Sequence, residues 1–194
     1  MSVVAFYGPD EREIVEEIRA WSAHALERKS PYFNNMPPCP YAKKAWQDGR
    51  VSIIFKYGGS QCLFNVLTHF NDTFDLVLIV DRNPRETTEK FHDYLDGLND
   101  AISRGIFEDR DLWVMGFHPE DDANDFIDDG TFEPQSDAAY AMIFVQRLSK
   151  VQEAADKLKE MGYYDAYLEE YDASELFQKR EALYRRLKNG DEST

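Results

Sequence analysis

The sequence has few cysteines, few cations and no long apolar run, and each shortage excludes a class of protein. Two cysteines in 194 residues are too few for the disulfide framework of a small secreted domain. No apolar run approaches the roughly 20 residues that cross a bilayer, and the N-terminal segment soon turns acidic and lacks a signal-peptide pattern. We therefore expect a soluble, cytoplasmic protein with reduced thiols and no membrane partner.

Positive charge is the second shortage. The chain carries 37 Asp and Glu residues against 22 Lys and Arg residues, which gives a formal net charge of −15. A nucleic-acid partner requires local positive charge that neutralises phosphates, and the basic residues near the C-terminus are interleaved with Glu181, as is typical of a solvated helix face. We therefore expect no nucleic-acid partner, whereas a basic protein partner is compatible with this charge.

Apolar residues are plentiful enough for a core, since hydrophobic residues make up 43% of the chain and aromatic residues 14%. Their spacing predicts leading helices at 10–28 and 40–48, strands at 51–57, 74–81, 112–117 and 140–146, helices at 61–70, 85–104 and 148–161, and a tail helix at 173–188. Gly105 and Gly162 are predicted to end the helices that precede them. An acidic loop without a helix, at 119–137, joins the third strand to the fourth.

The order of these elements predicts an α+β fold. A connection without a helix favours a mixed or antiparallel sheet of about four strands over a doubly wound parallel one. We predict one domain over 1–194, a two-layer sandwich with its sheet core at 51–162 and its helices mainly on one face, plus the N- and C-terminal helices.

Cys39 opens a Cys-Pro-Tyr-Ala segment at the start of the second predicted helix. Free backbone N–H groups and the positive end of a helix dipole favour a thiolate at such a position, and Lys43 and Lys44 add positive charge. The segment is similar to a glutaredoxin active site, but Ala42 occupies the position of the resolving cysteine. Cys39 is therefore a candidate nucleophile or redox thiol, and the alternative is a partly buried capping residue.

His118 directly follows the third predicted strand, and a run of carboxylates comes behind it. One imidazole with carboxylates at a strand end suits Mn, Fe or Zn. The candidate metal ligands are His118, Glu120, Asp121 and Asp122. The same residues suit acid–base chemistry, because an adjacent carboxylate orients an imidazole. A solvated acidic loop beside a structural histidine is the third interpretation.

Several short motifs follow one another in a fixed order. In chain order they are Trp21, Cys39-Pro40-Tyr41-Ala42-Lys43, Gly49 before Val51, Phe117-His118-Pro119, Tyr140, Arg147 and Arg185-Arg186-Leu187. This order resembles an uncharacterised bacterial family, the domain of unknown function numbered fourteen-fifteen, over about 21–187. The chain departs from the family pattern at Ala139, Ala141, Phe144 and Asp81-Arg82. The resemblance brings no activity with it, but it implies that Cys39, His118 and Arg147 share one site.

Two classes of function follow from these residues. In the first, the protein is a small enzyme acting on an anionic small molecule, with Cys39 as nucleophile or redox thiol and His118 as base or ligand. Arg147 would anchor the anion, because a guanidinium suits carboxylate or phosphate, and Tyr140 belongs to the same candidate catalytic set. In the second, a non-enzymatic binding or regulatory protein docks a basic partner on its acidic surface, and salt should dissociate that complex.

Overall fold

The computed structural model describes residues 7–57, 59, 61–122, 131–133, 139–170 and 174–189. Their helices are α1 Pro9–Trp21, α2 Ala42–Gln47, α3 Gln61–His69, α4 Thr88–Ser103, α5 Leu148–Glu160, α6 Asp165–Glu170 and α7 Ser174–Asn189. Their strands are β1 Val51–Lys56, β2 Leu76–Asp81, β3 Trp113–Phe117 and β4 Ala141–Gln146. The α+β class is confirmed, and most of the predicted acidic loop at 119–137 lies outside the described residues. No helix within these ranges is both long and apolar enough to span a membrane.

The four strands form one mixed sheet in the order β1-β2-β4-β3. Strands β1 and β2 are parallel, and β4 is antiparallel to both of its neighbours. Strands β1, β2 and β3 therefore all point the same way, and their carboxyl ends meet at one edge of the sheet. We call this edge, marked by Lys56, Asp81 and Phe117, the carboxyl edge, and the opposite one the amino edge.

Helices cover both faces of the sheet. On one face, α3 and α4 pack leucine side chains and Ile102 against Val77 and Ile79 of β2. On the other face, α1 packs Ile14 and Ile18 against a cluster that includes Leu78 and Val80 of the same strand. Because β2 is buried on both sides, its sequence is a continuous apolar run rather than an alternating one.

On the side of β3 that faces away from β4, a side chain of α4 hydrogen-bonds to the strand backbone. Asn99 Nδ2 donates a hydrogen bond to the carbonyl oxygen of Val114 at 2.7 Å, and the backbone N–H of Val114 donates to Asn99 Oδ1 at 2.9 Å. Both residues are buried. The Asn99 amide therefore replaces the strand that would otherwise pair with β3 at this position.

Gly116 allows α4 to lie close to β3. A Cβ atom at this position would lie 2.7 Å from the Phe91 ring and 2.8 Å from Leu95 Cδ1. We expect Gly116→Ala to lower the free energy of unfolding by about 1–3 kcal/mol, because overpacking displaces both side chains from their preferred rotamers. Urea denaturation followed by tryptophan fluorescence measures the change.

The matched control for Gly116→Ala is Gly97→Ala on the exposed side of α4. A Cβ at position 97 meets nothing within 4 Å, and alanine favours the helix over glycine by about 1 kcal/mol. The control should therefore be neutral or stabilising. Equal losses of stability in the two variants would contradict the proposed close contact between α4 and β3.

Candidate functional site

His118 lies one residue beyond β3, at the carboxyl edge, and is 6% exposed. Its ring packs against Phe91 of α4 with the centroids 5.5 Å apart. Nδ1 accepts a hydrogen bond from the backbone N–H of Glu120 at 3.2 Å, so the hydrogen of the neutral ring is on Nε2. Nε2 is buried and has no hydrogen-bond partner among the described residues. A buried donor in this state costs about 1–3 kcal/mol, so a ligand oxygen that accepts its hydrogen would be bound favourably.

Asp121 ties the chain behind His118 to the start of α4. Its Oδ2 accepts the backbone N–H of His118 at 2.6 Å, and its Oδ1 accepts the Thr88 hydroxyl and lies 2.8 Å from His92 Nε2. Partial burial works to raise the pKa of Asp121, but these three hydrogen bonds outweigh it and lower the pKa below its ordinary value. Asp121 is therefore a structural acceptor at the N-terminus of α4.

A cavity of about 460 Å³ lies beside His118, between the loop from β2 to α4 and residues 118–120. We call it the carboxyl-edge cavity. Side chains of both charges line it, namely Arg82, Arg85, Glu86 and Glu120. The Arg82 guanidinium lies 3.5 Å from the carboxylate of Asp10, whereas Arg85 makes no ion pair or hydrogen bond with any described residue. The Arg85 guanidinium, which has no ion pair among the described residues, thus lines the same cavity as His118.

The candidate metal ligands do not converge on one point. Glu120 Oε2 lies 4.0 Å from His118 Nδ1, which already accepts a backbone hydrogen bond. Both oxygens of Asp121 bind other groups, and Asp122 is exposed. No group of three or more His, Cys, Asp or Glu side chains within the described ranges is placed to hold a metal ion. A site for Mn, Fe or Zn at 118–122 therefore stays a prediction that these contacts do not support.

Cys39 is not among the residues that line the carboxyl-edge cavity. Its backbone N–H donates to the carbonyl oxygen of Leu26 at 3.0 Å, and its thiol is close to Glu27 and to the Tyr163–Tyr164 pair. Burial raises the pKa of the Cys39 thiol, and hydrogen bonds from backbone N–H groups at 41 and 42 offset only part of this rise. This balance does not favour the expected thiolate, because desolvation outweighs the backbone hydrogen bonds.

Arg147 lies at the opposite end of the sheet from His118. Strand β4 runs antiparallel to β3, so Phe117 pairs with Met142 and Trp113 pairs with Gln146. His118 therefore follows the carboxyl edge and Arg147 the amino edge, separated by the length of the β3–β4 ladder. The structure does not bring Cys39, His118 and Arg147 into one site.

The Arg147 guanidinium is fully engaged where it lies. It forms ion pairs with Asp109 and, at 3.2 Å, with Asp72, and it stacks over the Phe70 ring at 5.1 Å. Burial works to lower the pKa of Arg147, but the two carboxylates raise it above its ordinary value. These contacts join the amino edge of the sheet to the loop between α3 and β2, which indicates a structural role.

Tyr140 lies near the carboxyl edge, and its hydroxyl points to the face of the sheet that α1 covers. The hydroxyl donates to Glu17 Oε1 of α1 at 2.6 Å, and Glu17 is buried. Burial first, and then the Glu17 carboxylate, raise the pKa of Tyr140 far above its ordinary value. This contact fastens α1 to the sheet and leaves the neighbouring Ala139 on the wall of the carboxyl-edge cavity.

Sequence reasoning named His118 but missed Arg82 and Arg85. The signal was present, because Asp81-Arg82-Asn83-Pro84-Arg85 follows the most apolar strand in the chain. Polar residues directly after a buried parallel strand lie at its carboxyl end, where ligands bind in open α/β sheets. The interpretation also required the strand directions, which put the loop after β2 and the end of β3 at the same edge of the sheet.

No protein-family model matches the chain, and no curated protein or solved structure matches it either. The resemblance to the domain of unknown function numbered fourteen-fifteen therefore stays a prediction.

Proposed function

We propose that the protein binds a small molecule bearing a carboxylate or phosphate group in the carboxyl-edge cavity. The observation that carries this proposal is the buried Nε2–H of His118, which has no partner among the described residues. A ligand oxygen that accepts this hydrogen would relieve the cost of the unpaired donor. The guanidinium of Arg85, which is free of ion pairs with described residues, suits bidentate contact with the same anionic group.

The mixed charge of the cavity narrows the class of ligand. Glu86 and Glu120 lie on its walls beside Arg82 and Arg85, and Asp121 already occupies the N-terminus of α4. A multiply charged anion would be repelled by these carboxylates. A small ligand that carries one anionic group can pair with the arginines. An ammonium or hydroxyl group elsewhere in the same ligand can donate hydrogen bonds to the carboxylates.

Titration with acetate tests the proposal, and inorganic phosphate, which carries more than one negative charge near neutral pH, is the probe expected to bind more weakly. We expect the Nε2 resonance of His118 to shift in long-range nitrogen–proton spectra, while that of the exposed His69 on α3 stays unchanged. Arg85→Gln should weaken binding by about tenfold or more, because a hydrogen bond to a charged group contributes about 1.5–3 kcal/mol. Arg104→Gln, at the far end of α4, removes the same charge from the chain and is the matched control.

The variant His118→Phe separates a binding role from a structural one. Phenylalanine retains the packing on Phe91 and removes the unpaired donor, so the free energy of unfolding should stay within about 1 kcal/mol of the original or rise. Anion binding should be lost. A large loss of stability, or anion binding that persists in this variant, would contradict the proposed role of His118.

A further inference from the structure

A second cavity, of about 690 Å³, lies between the edge strand β1 and helix α3. We call it the β1–α3 groove. Its apolar wall includes Ile54, Val66, Phe70 and Phe74. It shares no lining residue with the carboxyl-edge cavity, so it is a separate candidate site.

The described lining of the groove carries no full charge. None of the described residues that line it is Asp, Glu, Lys or Arg, although these residue types make up 30% of the chain. A charged ligand entering it would lose hydration without gaining an opposite charge. The volume falls within the range of small-molecule sites, which are mostly apolar with a few placed polar groups. The groove therefore favours an uncharged molecule.

The polar groups of the groove lie along one side of α3. Gln61, Asn65 and His69 are spaced four residues apart, so they share one face of the helix. His69 Nδ1 lies 2.9 Å from the carbonyl oxygen of Asn65, so Nδ1 carries the hydrogen and donates it. Nε2 of the neutral ring is then an acceptor. The side-chain amides of Gln61 and Asn65 make no hydrogen bond with any described residue.

We propose that the β1–α3 groove binds an uncharged, mainly apolar small molecule whose hydroxyl group donates a hydrogen bond to His69 Nε2. The apolar part of the molecule lies against Ile54, Val66 and Phe74, and the hydroxyl lies at the polar rim. A phenol or an alcohol has this combination of an apolar body and one donor.

Three probes of similar size test both parts of the proposal: para-ethylphenol, ethylbenzene and para-ethylbenzoate. Calorimetry and amide chemical shifts measure their affinities. We expect para-ethylphenol to bind about five- to tenfold more tightly than ethylbenzene, the effect of one hydrogen bond. Para-ethylbenzoate should bind most weakly of the three, because its charge finds no counterpart in the groove.

His69→Ala is the first variant, and its fold is safe because the side chain is exposed. It should reduce the affinity for para-ethylphenol to that for ethylbenzene and leave ethylbenzene binding unchanged. Thr68→Ala, at the neighbouring exposed position outside the groove, is the control and should change neither affinity. Val66→Trp fills the groove and should abolish binding of both neutral probes.

Three results would overturn the proposal. One is equal affinity of the original protein for para-ethylphenol and ethylbenzene, which would show that the phenol hydroxyl makes no hydrogen bond to His69. The second is tight binding of para-ethylbenzoate, which would show that the groove does not favour uncharged molecules. The third is self-association that Val66→Trp abolishes while neither neutral probe binds, which assigns the groove to a second copy of the chain.

Discussion

Asn99→Leu is expected to lower the free energy of unfolding by about 2–6 kcal/mol. The substitution removes both hydrogen bonds between Asn99 and the backbone of Val114. Val114 is 1% exposed, so water cannot reach its N–H and C=O groups without opening the structure. Each orphaned group costs about 1–3 kcal/mol, a large share of the about 5–15 kcal/mol that stabilises a domain.

Two measurements distinguish this mechanism from a general loss of packing. Urea denaturation gives the change in unfolding free energy, and native-state hydrogen exchange reports on the Val114 amide. That amide should exchange slowly in the original protein and much faster in Asn99→Leu. Asn65→Leu makes the same substitution at an exposed position of α3 and should be nearly neutral. A loss below about 1 kcal/mol in Asn99→Leu would show that the two hydrogen bonds contribute little.

The same pair of elements positions His118. Helix α4 is joined to β3 by Asn99 and to the chain that follows β3 by Asp121. Between these joints, Gly116 allows Phe91 to lie against the imidazole. The orientation of the buried Nε2–H therefore depends on the packing of one helix on one strand.

The elements of the fold followed closely from local sequence signals. The four strands and the long helices obey apolar periodicities that involve only neighbouring residues. Gly105 and Gly162 have φ angles of +82° and +68° at the ends of α4 and α5, as a helix-terminating glycine requires. Helix α6 was missed because its six residues are too few to show a helical period. Its Tyr167 stacks on Phe33 and belongs to a buried cluster with Leu158 and Tyr163.

The site could be predicted only in part, because it depends on contacts between distant residues. His118 was identifiable from its residue type and from its place after a strand. Its partners were not, since the antiparallel direction of β4 carries Arg147 to the amino edge, whereas β2 runs in the same direction as β3 and its following loop, with Arg85, lies at the carboxyl edge. Docking of a basic partner rests on the net charge of −15 alone. Salt-sensitive capture of a basic protein remains its test.

Alkaline pH is expected to remove up to about 4 kcal/mol of stability between about pH 10 and 11.5. Tyr163 is 1% exposed, and its hydroxyl donates to the carbonyl oxygens of Pro37 and Pro38 at 2.7 and 2.6 Å. Burial, reinforced by nearby Tyr164, raises the pKa of Tyr163 far above its ordinary value. Burial and Glu17 do the same for Tyr140.

The sign of this pH effect follows from which state binds more protons. Above about pH 10 the tyrosines of the unfolded chain lose their protons, while Tyr140 and Tyr163 in the folded chain keep theirs. The contribution of the two tyrosines to the free energy of unfolding is therefore complete below about pH 10. It falls as the pH rises towards their raised pKa values, by at most about 1.4 kcal/mol per pH unit for each tyrosine.

The double variant Tyr140→Phe/Tyr163→Phe tests this origin. It should be less stable than the original protein at neutral pH, because it lacks the hydrogen bonds to Glu17 and to the Pro37–Pro38 carbonyls. It should lose less stability on alkaline titration, so the two curves of unfolding free energy against pH should converge. Tyr57→Phe, at a side chain that is 72% exposed, should leave the curve parallel to that of the original protein. Parallel curves for the double variant and the original protein would mean that other groups cause the alkaline loss of stability. The two hydroxyls would then stabilise the positions of α1 and of the segment before α2 without making the free energy of unfolding depend on pH.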